Sequence, residues 1–119
     1  MDLQKTYISL LTKDLVAAEK WYTRLLGRGP DYRPMDTLVQ WEFSNHSGLM
    51  LSTSEEIAGQ CAAFIYVGDV AAERRRLQAL GITLGEDNQG DYSTLAQLRD
   101  PDGNLLTLAT PPARPFPRA

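Results

Sequence analysis

The residue types best suited to covalent or metal chemistry are scarce in this chain of 119 residues. There is one cysteine, Cys61, and one histidine, His46. One cysteine cannot form an intramolecular disulfide or an all-cysteine zinc site, and one histidine excludes a two-histidine metal site within one chain. His46 lies in an Asn-His-Ser-Gly stretch that is typical of a hairpin turn. Neither residue therefore predicts a catalytic centre.

Carboxylate and aromatic side chains are more promising as ligand contacts. Trp41 and Phe43 alternate with Gln40 and Glu42, so a strand here would have one aromatic and one polar face. The sequence does not tell which face meets a ligand. If Glu42 does, a carboxylate beside aromatic walls suits a cationic planar compound. Tyr92 lies next to a polar loop that could close over such a ligand.

Two similar stretches predict the helices that would position these residues. They read KDLVAAEKWYTRLLG, at residues 13–27, and GDVAAERRRLQALG, at residues 68–81. Asp14 and Asp69 are suited to accept the free amide protons of a first helical turn. Gly27 and Gly81 are suited to end the helices, because glycine adopts the left-handed conformation at little cost. The repetition predicts two copies of one structural unit.

Short alternating segments predict strands around both helices, at residues 6–12, 37–43, 48–53, 62–67, 82–84, 92–99 and 104–109. We therefore predict an α+β fold with the order βαβββ used twice in a single domain, 1–119. Its parts would be module 1 (about 4–53), a linker (54–60), module 2 (about 61–110) and a proline-rich tail (111–119). The tail should be extended and lack regular structure.

Three of these stretches carry a resemblance to a known family. They are KDLVAAEKWYTRLLG, FIYVGDVAAERRRLQALG and the final turn and strand LRDPDGNLLTL, and together they span most of residues 6–109. The chain resembles the vicinal oxygen chelate superfamily, which includes glyoxalases, extradiol dioxygenases and bleomycin resistance proteins. The resemblance implies two βαβββ modules whose sheets form a U-shaped cleft, with the helices packed outside. It also implies that enzyme members bind a metal ion in this cleft through His, Gln or Glu.

The positions that the resemblance assigns to metal ligands are here Tyr7, Met50, Ala62 and Thr107. Divalent ions in such sites prefer carboxylate oxygen or imidazole nitrogen, whereas a thioether is soft and alanine has no donor atom. We therefore expect no metal, no other cofactor and no catalytic residue, as in the metal-free bleomycin-resistance-like branch. A metal held in another way, for example through Glu42, stays open.

Strand parity, applied to the cleft that the resemblance implies, predicts the residues that face a ligand. Residues two apart on a strand share a face, which groups Tyr7 with Ser9 and Phe64 with Tyr66. The full predicted ligand-binding set is Tyr7, Ser9, Trp41, Glu42, Met50, Phe64, Tyr66, Tyr92 and Thr107. Aromatic and apolar walls with a few hydroxyl groups suit a small organic molecule.

Three functions are compatible with these observations. The first is a small-molecule binding protein that sequesters an aromatic or cationic compound such as an antibiotic, acting as the homodimer that the resemblance implies. The second is a lyase, isomerase or dioxygenase, either metal-dependent or using Tyr7, Tyr66 or Glu42 as acid or base. The third is an interaction module whose cleft is filled by side chains or by the tail, with residues 114–116 occupying a partner's groove.

Charge and hydropathy exclude other classes of partner. Twelve basic and fifteen acidic residues give a net charge of −3, and non-specific nucleic-acid binding needs a basic surface. The apolar runs are only a few residues long, and the first residues lack the apolar stretch of a signal peptide. We expect a cytoplasmic protein with no nucleic-acid or membrane partner.

Overall fold

The predicted βαβββ order occurs twice along the chain. The structure is a computed structural model and describes residues 1–119. The first copy consists of β1 (Thr6–Thr12), α1 (Leu15–Leu26), β2 (Tyr32–Met35), β3 (Leu38–Glu42) and β4 (Ser47–Thr53). The second consists of β5 (Ala62–Tyr66), α2 (Val70–Ala79), β6 (Asn88–Gln89), β7 (Thr94–Arg99) and β8 (Leu105–Ala109). Neither helix is long and apolar enough to cross a membrane.

Each copy forms a four-stranded sheet, with the strand orders β1-β4-β3-β2 and β5-β8-β7-β6. In the first sheet β1 pairs with β4 in parallel, and the other pairs are antiparallel. The predicted α+β class with two βαβββ modules is confirmed. By contacts the chain divides into a first unit, residues 1–63 with 99–105, and a second unit, residues 64–98 with 106–119.

The predicted helix boundaries are confirmed in detail. The Asp14 carboxylate accepts the amide proton of Ala17, and the Asp69 carboxylate caps the first turn of α2 in the same way. Gly27 follows α1 with a φ of 82°, and Gly81 follows α2 with a φ of 77°. These contacts are local in sequence, which is why the pattern of residues was sufficient to locate them.

The core of the first unit lies between α1 and one face of its sheet. The buried side chains alternate along the strands, as one covered face requires. They are Leu10 of β1, Val39 and Trp41 of β3, Leu49 and Leu51 of β4, and Ala18, Trp21, Tyr22 and Leu25 of α1. The opposite face of this sheet is not covered by α1.

The strand predictions were wrong at three places. Residues 82–84 are not a strand, although Ile82 and Leu84 are buried. The backbone hydrogen bond to β7 comes from the next residue, where the Gly85 amide donates to the carbonyl oxygen of Gln97. The strands β2 and β6 were not located. All four residues of β2 are exposed and β6 has only two residues, so neither has an alternating pattern of buried positions.

The Asp-Pro-Asp-Gly-Asn turn is part of a buried hydrogen-bond network in the first unit. The Asp100 carboxylate accepts four hydrogen bonds: from the Tyr22 hydroxyl at 2.6 Å, the Asn104 side-chain amide at 2.8 Å, and the backbone amides of Asp102 and Asn104 at 3.0 and 2.9 Å. The Asn104 side chain also donates to the carbonyl of Leu11 and accepts from the amide of Cys61. The turn therefore joins α1, β1 and the start of β5.

Tyr22 is held neutral by this environment. Its side chain is fully buried, and burial together with the hydrogen bond to Asp100 raises its pKa above the ordinary value of 10.0. No buried side-chain oxygen or nitrogen atom lacks a hydrogen-bond partner. A satisfied buried network of this kind stabilises one arrangement of the chain, and it leaves no donor or acceptor for a ligand.

Candidate functional site

The uncovered face of the first sheet brings together four of the predicted site residues. Strand register pairs Ser9 with Met50, and it pairs Tyr7 and Glu42 with Gly48 from either side. Paired residues share a face, so these side chains lie on the face opposite the α1 core. The predicted grouping of Tyr7, Ser9, Met50 and Glu42 thus has a structural basis in the register.

Gly48 lets Tyr7 reach across β4. A Cβ atom at this position would lie 2.7 Å from the Tyr7 ring and would also collide with the carbonyl oxygen of Trp41. With no side chain in between, the Tyr7 hydroxyl donates a hydrogen bond to the Glu42 carboxylate at 2.6 Å. A phenol and a carboxylate from two non-adjacent strands are thereby joined on one open surface.

Glu42 is the centre of a cluster of charges. Lys5 forms an ion pair with its carboxylate and lies 5.0 Å from the centroid of the Tyr7 ring. Arg28 donates to the carbonyl oxygen of Glu42 and pairs with Asp31 at 2.7 Å, and Asp31 accepts the Glu42 amide at 2.7 Å. The hydrogen bonds from Lys5 and then Tyr7 lower the pKa of Glu42, and those from Arg28 and the Glu42 amide lower the pKa of Asp31.

A cavity of about 600 Å³ opens beside this cluster. Its wall is made of charged, aromatic and small polar side chains: Lys5, Arg28, Asp31, Tyr32, Glu42, Phe43, Ser44 and Asn45. Tyr32 and Phe43 are among the exposed large hydrophobic residues of the chain. The cavity lies entirely within the first unit and has the volume of a site for a small organic molecule.

Trp41 does not belong to this surface. Its side chain is fully buried on the α1 side of β3, and its indole Nε1–H donates to the carbonyl oxygen of Arg28 at 2.9 Å. Glu42, one residue further, points to the other side. The question that the sequence left open is answered for this strand: its polar face is the open one, and Trp41 is a core residue.

Three predicted residues lie on strands of the second unit. Phe64 and Tyr66 are each 51% exposed on one face of β5, with ring centroids 5.2 Å apart in an edge-to-face arrangement. Thr107 is buried on β8, where its hydroxyl oxygen accepts a hydrogen bond from Gln97 at 3.0 Å. The aromatic pair could therefore contact a ligand, whereas the Thr107 hydroxyl already has a partner.

Tyr92 is in contact with the tail of its own chain. Its ring centroid lies 4.7 Å from the guanidinium carbon of Arg114 and 4.7 Å from the ring centroid of Phe116. The amide of Ala113 donates to the carbonyl oxygen of Tyr92 at 2.8 Å. The tail has no regular secondary structure, as predicted, but part of it packs on the second unit.

The side chains at the expected metal positions do not fit the ion that enzyme members hold. The Tyr7 hydroxyl donates to Glu42, the Thr107 hydroxyl accepts from Gln97, Met50 has only a soft thioether and Ala62 has no donor atom. No group of three or more His, Cys, Asp or Glu side chains comes together elsewhere.

Sequence reasoning missed the charged neighbours of Glu42. Lys5 precedes β1, and Arg28 and Asp31 lie in the loop between α1 and β2, so none belongs to an alternating or helical pattern. The only local signal was that Arg28 and Asp31, of opposite charge, are three residues apart with Gly29-Pro30 between them, which could have predicted their ion pair. It does not show that Arg28 also reaches the end of β3, fourteen residues away.

Comparison with known proteins identifies the family. The sequence model described as "Glyoxalase-like domain" matches residues 7–109. The chain belongs to this glyoxalase-like family. No curated protein sequence matches the chain.

Solved structures share the fold at low sequence identity. A glyoxalase / bleomycin resistance protein from Catenulispora acidiphila superimposes with a TM-score of 0.82 at 23% identity, covering 91% of this chain and 98% of that one. A bleomycin-binding protein complexed with bleomycin gives 0.72 at 23% identity, with 90% and 97% covered. A lactoylglutathione lyase from Agrobacterium tumefaciens gives 0.73 at 23% identity, with 88% and 91% covered. Both binding proteins and an enzyme therefore have this fold, and the fold alone does not choose between them.

Proposed function

We propose that this protein is a metal-free small-molecule binding protein that sequesters an organic cation with aromatic surface, such as an antibiotic of the bleomycin type. The donor set at the usual metal positions supports the metal-free part. A bleomycin-binding protein among the structures of the same fold supports the ligand class. We further propose that the protein is cytoplasmic and that it acts as a homodimer, the state that the family resemblance implies.

The observation that carries this proposal is the position of Glu42. Glu42 lies on the open face of the sheet and lines the 600 Å³ cavity together with the exposed residues Tyr32 and Phe43. Its lowered pKa keeps it ionised at neutral pH. A fixed negative charge in a cavity whose lining also includes tyrosine and phenylalanine suits an organic cation with aromatic surface.

Lys5 would act as an internal counter-ion that the ligand replaces. In the chain alone the Glu42 carboxylate is already paired with this ammonium group. An incoming cation must compete with Lys5, whose side chain is 33% exposed on a flexible stem and can turn into solvent. Removing Lys5 should therefore increase the affinity for a cationic ligand, and removing the charge of Glu42 should decrease it.

The same charges disfavour a metal-free acid–base reaction at Glu42. A general base works best when its pKa lies near the working pH. The pKa of Glu42 is instead lowered from its usual value of 4.5. The Glu42 carboxylate is suited to attract a cation and poorly suited to remove a proton.

Calorimetric titration with a panel of cationic aromatic compounds that includes bleomycin tests the proposal. For a compound that binds, we expect Glu42→Gln to weaken affinity about tenfold, the scale of one charge-assisted contact, and Lys5→Met to strengthen it. Glu73→Gln is the matched control, because Glu73 is paired with Arg76 on α2 and does not line the cavity. Equal affinity of the Glu42→Gln variant and the unsubstituted protein would overturn the proposed site.

Two further measurements separate the parts of the proposal. Elemental analysis after expression with nickel, zinc, manganese and iron available should find no stoichiometric metal, and finding one would favour the enzyme hypothesis over the binding protein. Sedimentation of the unliganded protein should give twice the mass of the chain. A monomer would contradict the dimer while leaving the cavity as the candidate site.

A further inference from the structure

One backbone hydrogen bond holds the proline-rich tail to the residues before β7, and the residue that precedes the tail forms another with β7 itself. The Thr110 amide donates to the carbonyl oxygen of Thr94 at 3.0 Å, and the Ala113 amide donates to the carbonyl oxygen of Tyr92 at 2.8 Å. The two residues between them, at positions 111 and 112, are prolines and have no amide proton to donate. The amides of Thr110 and Ala113 are therefore bonded to the first residue of β7 and to the loop just before it.

These attachments bring two side chains of different chemistry to one ring. Arg114 and Phe116 are separated by a single proline, and both contact Tyr92, each at 4.7 Å from its ring centroid. A cation within about 6 Å of a ring centroid is attracted by the negative face of the ring, and two rings at this spacing attract each other. Tyr92 thus holds a cationic group and an aromatic group at the same time.

The contact between the tail and Tyr92 lies at the surface. Phe116 is 54% exposed although it touches Tyr92, and residues 111–119 are all classed as exposed. Three contacts hold residues 113–119 to the rest of the second unit: the hydrogen bond of the Ala113 amide and the contacts of Arg114 and Phe116 with the Tyr92 ring. A free molecule with the same two chemical groups could take their place without unfolding a strand or helix.

We propose that Tyr92 is a second binding site, for the aromatic and cationic parts of a small organic molecule, and that Arg114 and Phe116 of the tail occupy it as an internal competitor. The site lies within the second unit and does not depend on the cavity beside Glu42. The tail is then a regulator of ligand access to Tyr92, and its effect is to raise the ligand concentration at which this site fills.

Ligand-detected NMR titration with benzyltrimethylammonium, which carries one phenyl ring and one fixed positive charge, tests this proposal on the full-length chain. The double variant Arg114→Ala/Phe116→Ala keeps the backbone bond of Ala113 and removes only the competing groups. We expect it to bind the probe about three- to tenfold more tightly than the unsubstituted protein, the scale of one or two exposed ring contacts. Arg118→Ala removes the same charge from the tail without a contact to Tyr92 and should change nothing.

Two variants at position 92 assign the binding to the ring. In the double-variant background, Tyr92→Leu should lose the added affinity and Tyr92→Phe should keep it, because phenylalanine retains the ring face. Equal affinity of the double variant and the unsubstituted protein would overturn the proposal and leave the tail contact as purely structural. Added affinity that survives Tyr92→Leu would overturn it as well, since the probe would then bind elsewhere.

Discussion

Two tyrosine–carboxylate pairs in the first unit have the same contact and opposite surroundings. Tyr22 donates to Asp100 and Tyr7 donates to Glu42, in both cases at 2.6 Å. Asp100 is buried and accepts three further hydrogen bonds from its own turn. Glu42 is partly exposed, has a lysine as its counter-ion and lines a cavity.

Burial and the number of hydrogen-bond partners decide whether such a pair stabilises the fold or is available to a ligand. Around Asp100 every donor and acceptor is satisfied away from water, so losing one partner leaves others unpaired at a high free-energy cost. Around Glu42 water can replace any partner, so the pair contributes little to stability and its charge remains available to a ligand. The same chemical contact is structural in one place and suited to binding in the other.

Asp100→Ala should have the largest effect of any substitution in these two pairs. It leaves the Tyr22 hydroxyl and the side-chain and backbone amides of Asn104 without their acceptor in the core, which should reduce the free energy of unfolding by about 3 kcal/mol or more. Urea unfolding measures this loss. Glu42→Ala, in the exposed Tyr7–Glu42 pair, is the control. We expect its urea-unfolding midpoint to stay close to that of the unsubstituted protein. Similar losses for both variants would contradict the comparison.

Gly48→Ala should disturb the Tyr7–Glu42 pair, because it forces the neighbouring backbone to move. The added methyl group meets the Tyr7 ring and the carbonyl oxygen of Trp41, and the latter is backbone that must shift. We expect a loss of about 1–3 kcal/mol in the free energy of unfolding. We also expect lower affinity for a cationic compound that binds at Glu42. Gly29→Ala is the matched control, because a Cβ at Gly29 has no atom within 4 Å. A Gly48→Ala protein as stable as the control would contradict the predicted clash with the Trp41 carbonyl oxygen and the Tyr7 ring.

The substitutions Tyr22→Phe and Tyr7→Phe measure how much each hydroxyl group contributes to the free energy of unfolding. We expect Tyr22→Phe to cost about 1 kcal/mol and Tyr7→Phe less, because only the first hydroxyl is buried. The pKa of Tyr22 is raised in the folded protein, so its contribution is fully present below pH 10.0 and is lost as the pH rises above that value. Unfolding measured from pH 8 to 11 should therefore show a steeper alkaline loss in the unsubstituted protein than in Tyr22→Phe, and parallel curves would contradict the assignment.

We expect the smallest effect on stability from protonating Glu42 and Asp31, the two carboxylates beside the cavity. The pKa values of Glu42 and Asp31 are lowered, so their contributions are present above the usual values of 4.5 and 3.8 and are lost as the pH falls below them. NMR titration of the Glu42 carboxyl should give a midpoint below 4.5, and Lys5→Met should move that midpoint upward. An unchanged midpoint in Lys5→Met would show that Lys5 is not the counter-ion.

The fold was largely predictable because its signals are local. The Asp residues that begin both helices and the Gly residues that follow them act on amides and dihedral angles within a few residues. The same is true of strand parity, which grouped Tyr7 with Ser9 and Phe64 with Tyr66. The exposed strand β2 and the two-residue strand β6 lacked such signals and were not located.

The candidate site was predictable only in part because its contacts are distant in sequence. Glu42, Tyr7 and Met50 were proposed from the residues and the family resemblance, and the register places them on one face. Arg28, Asp31 and Lys5 were missed, because loops between elements have no periodic pattern. The resemblance marked the turn at residues 100–104, but not its role as a buried anchor.

By itself the sequence determined where helices start and stop and which residues alternate on each strand. Only the tertiary structure decided that Trp41 is core and Glu42 is open, and that one tyrosine is buried while the other borders a cavity. The physical reason is the distance along the chain: the two tyrosine–carboxylate contacts join residues 78 and 35 positions apart, and strand register and packing alone bring such residues together.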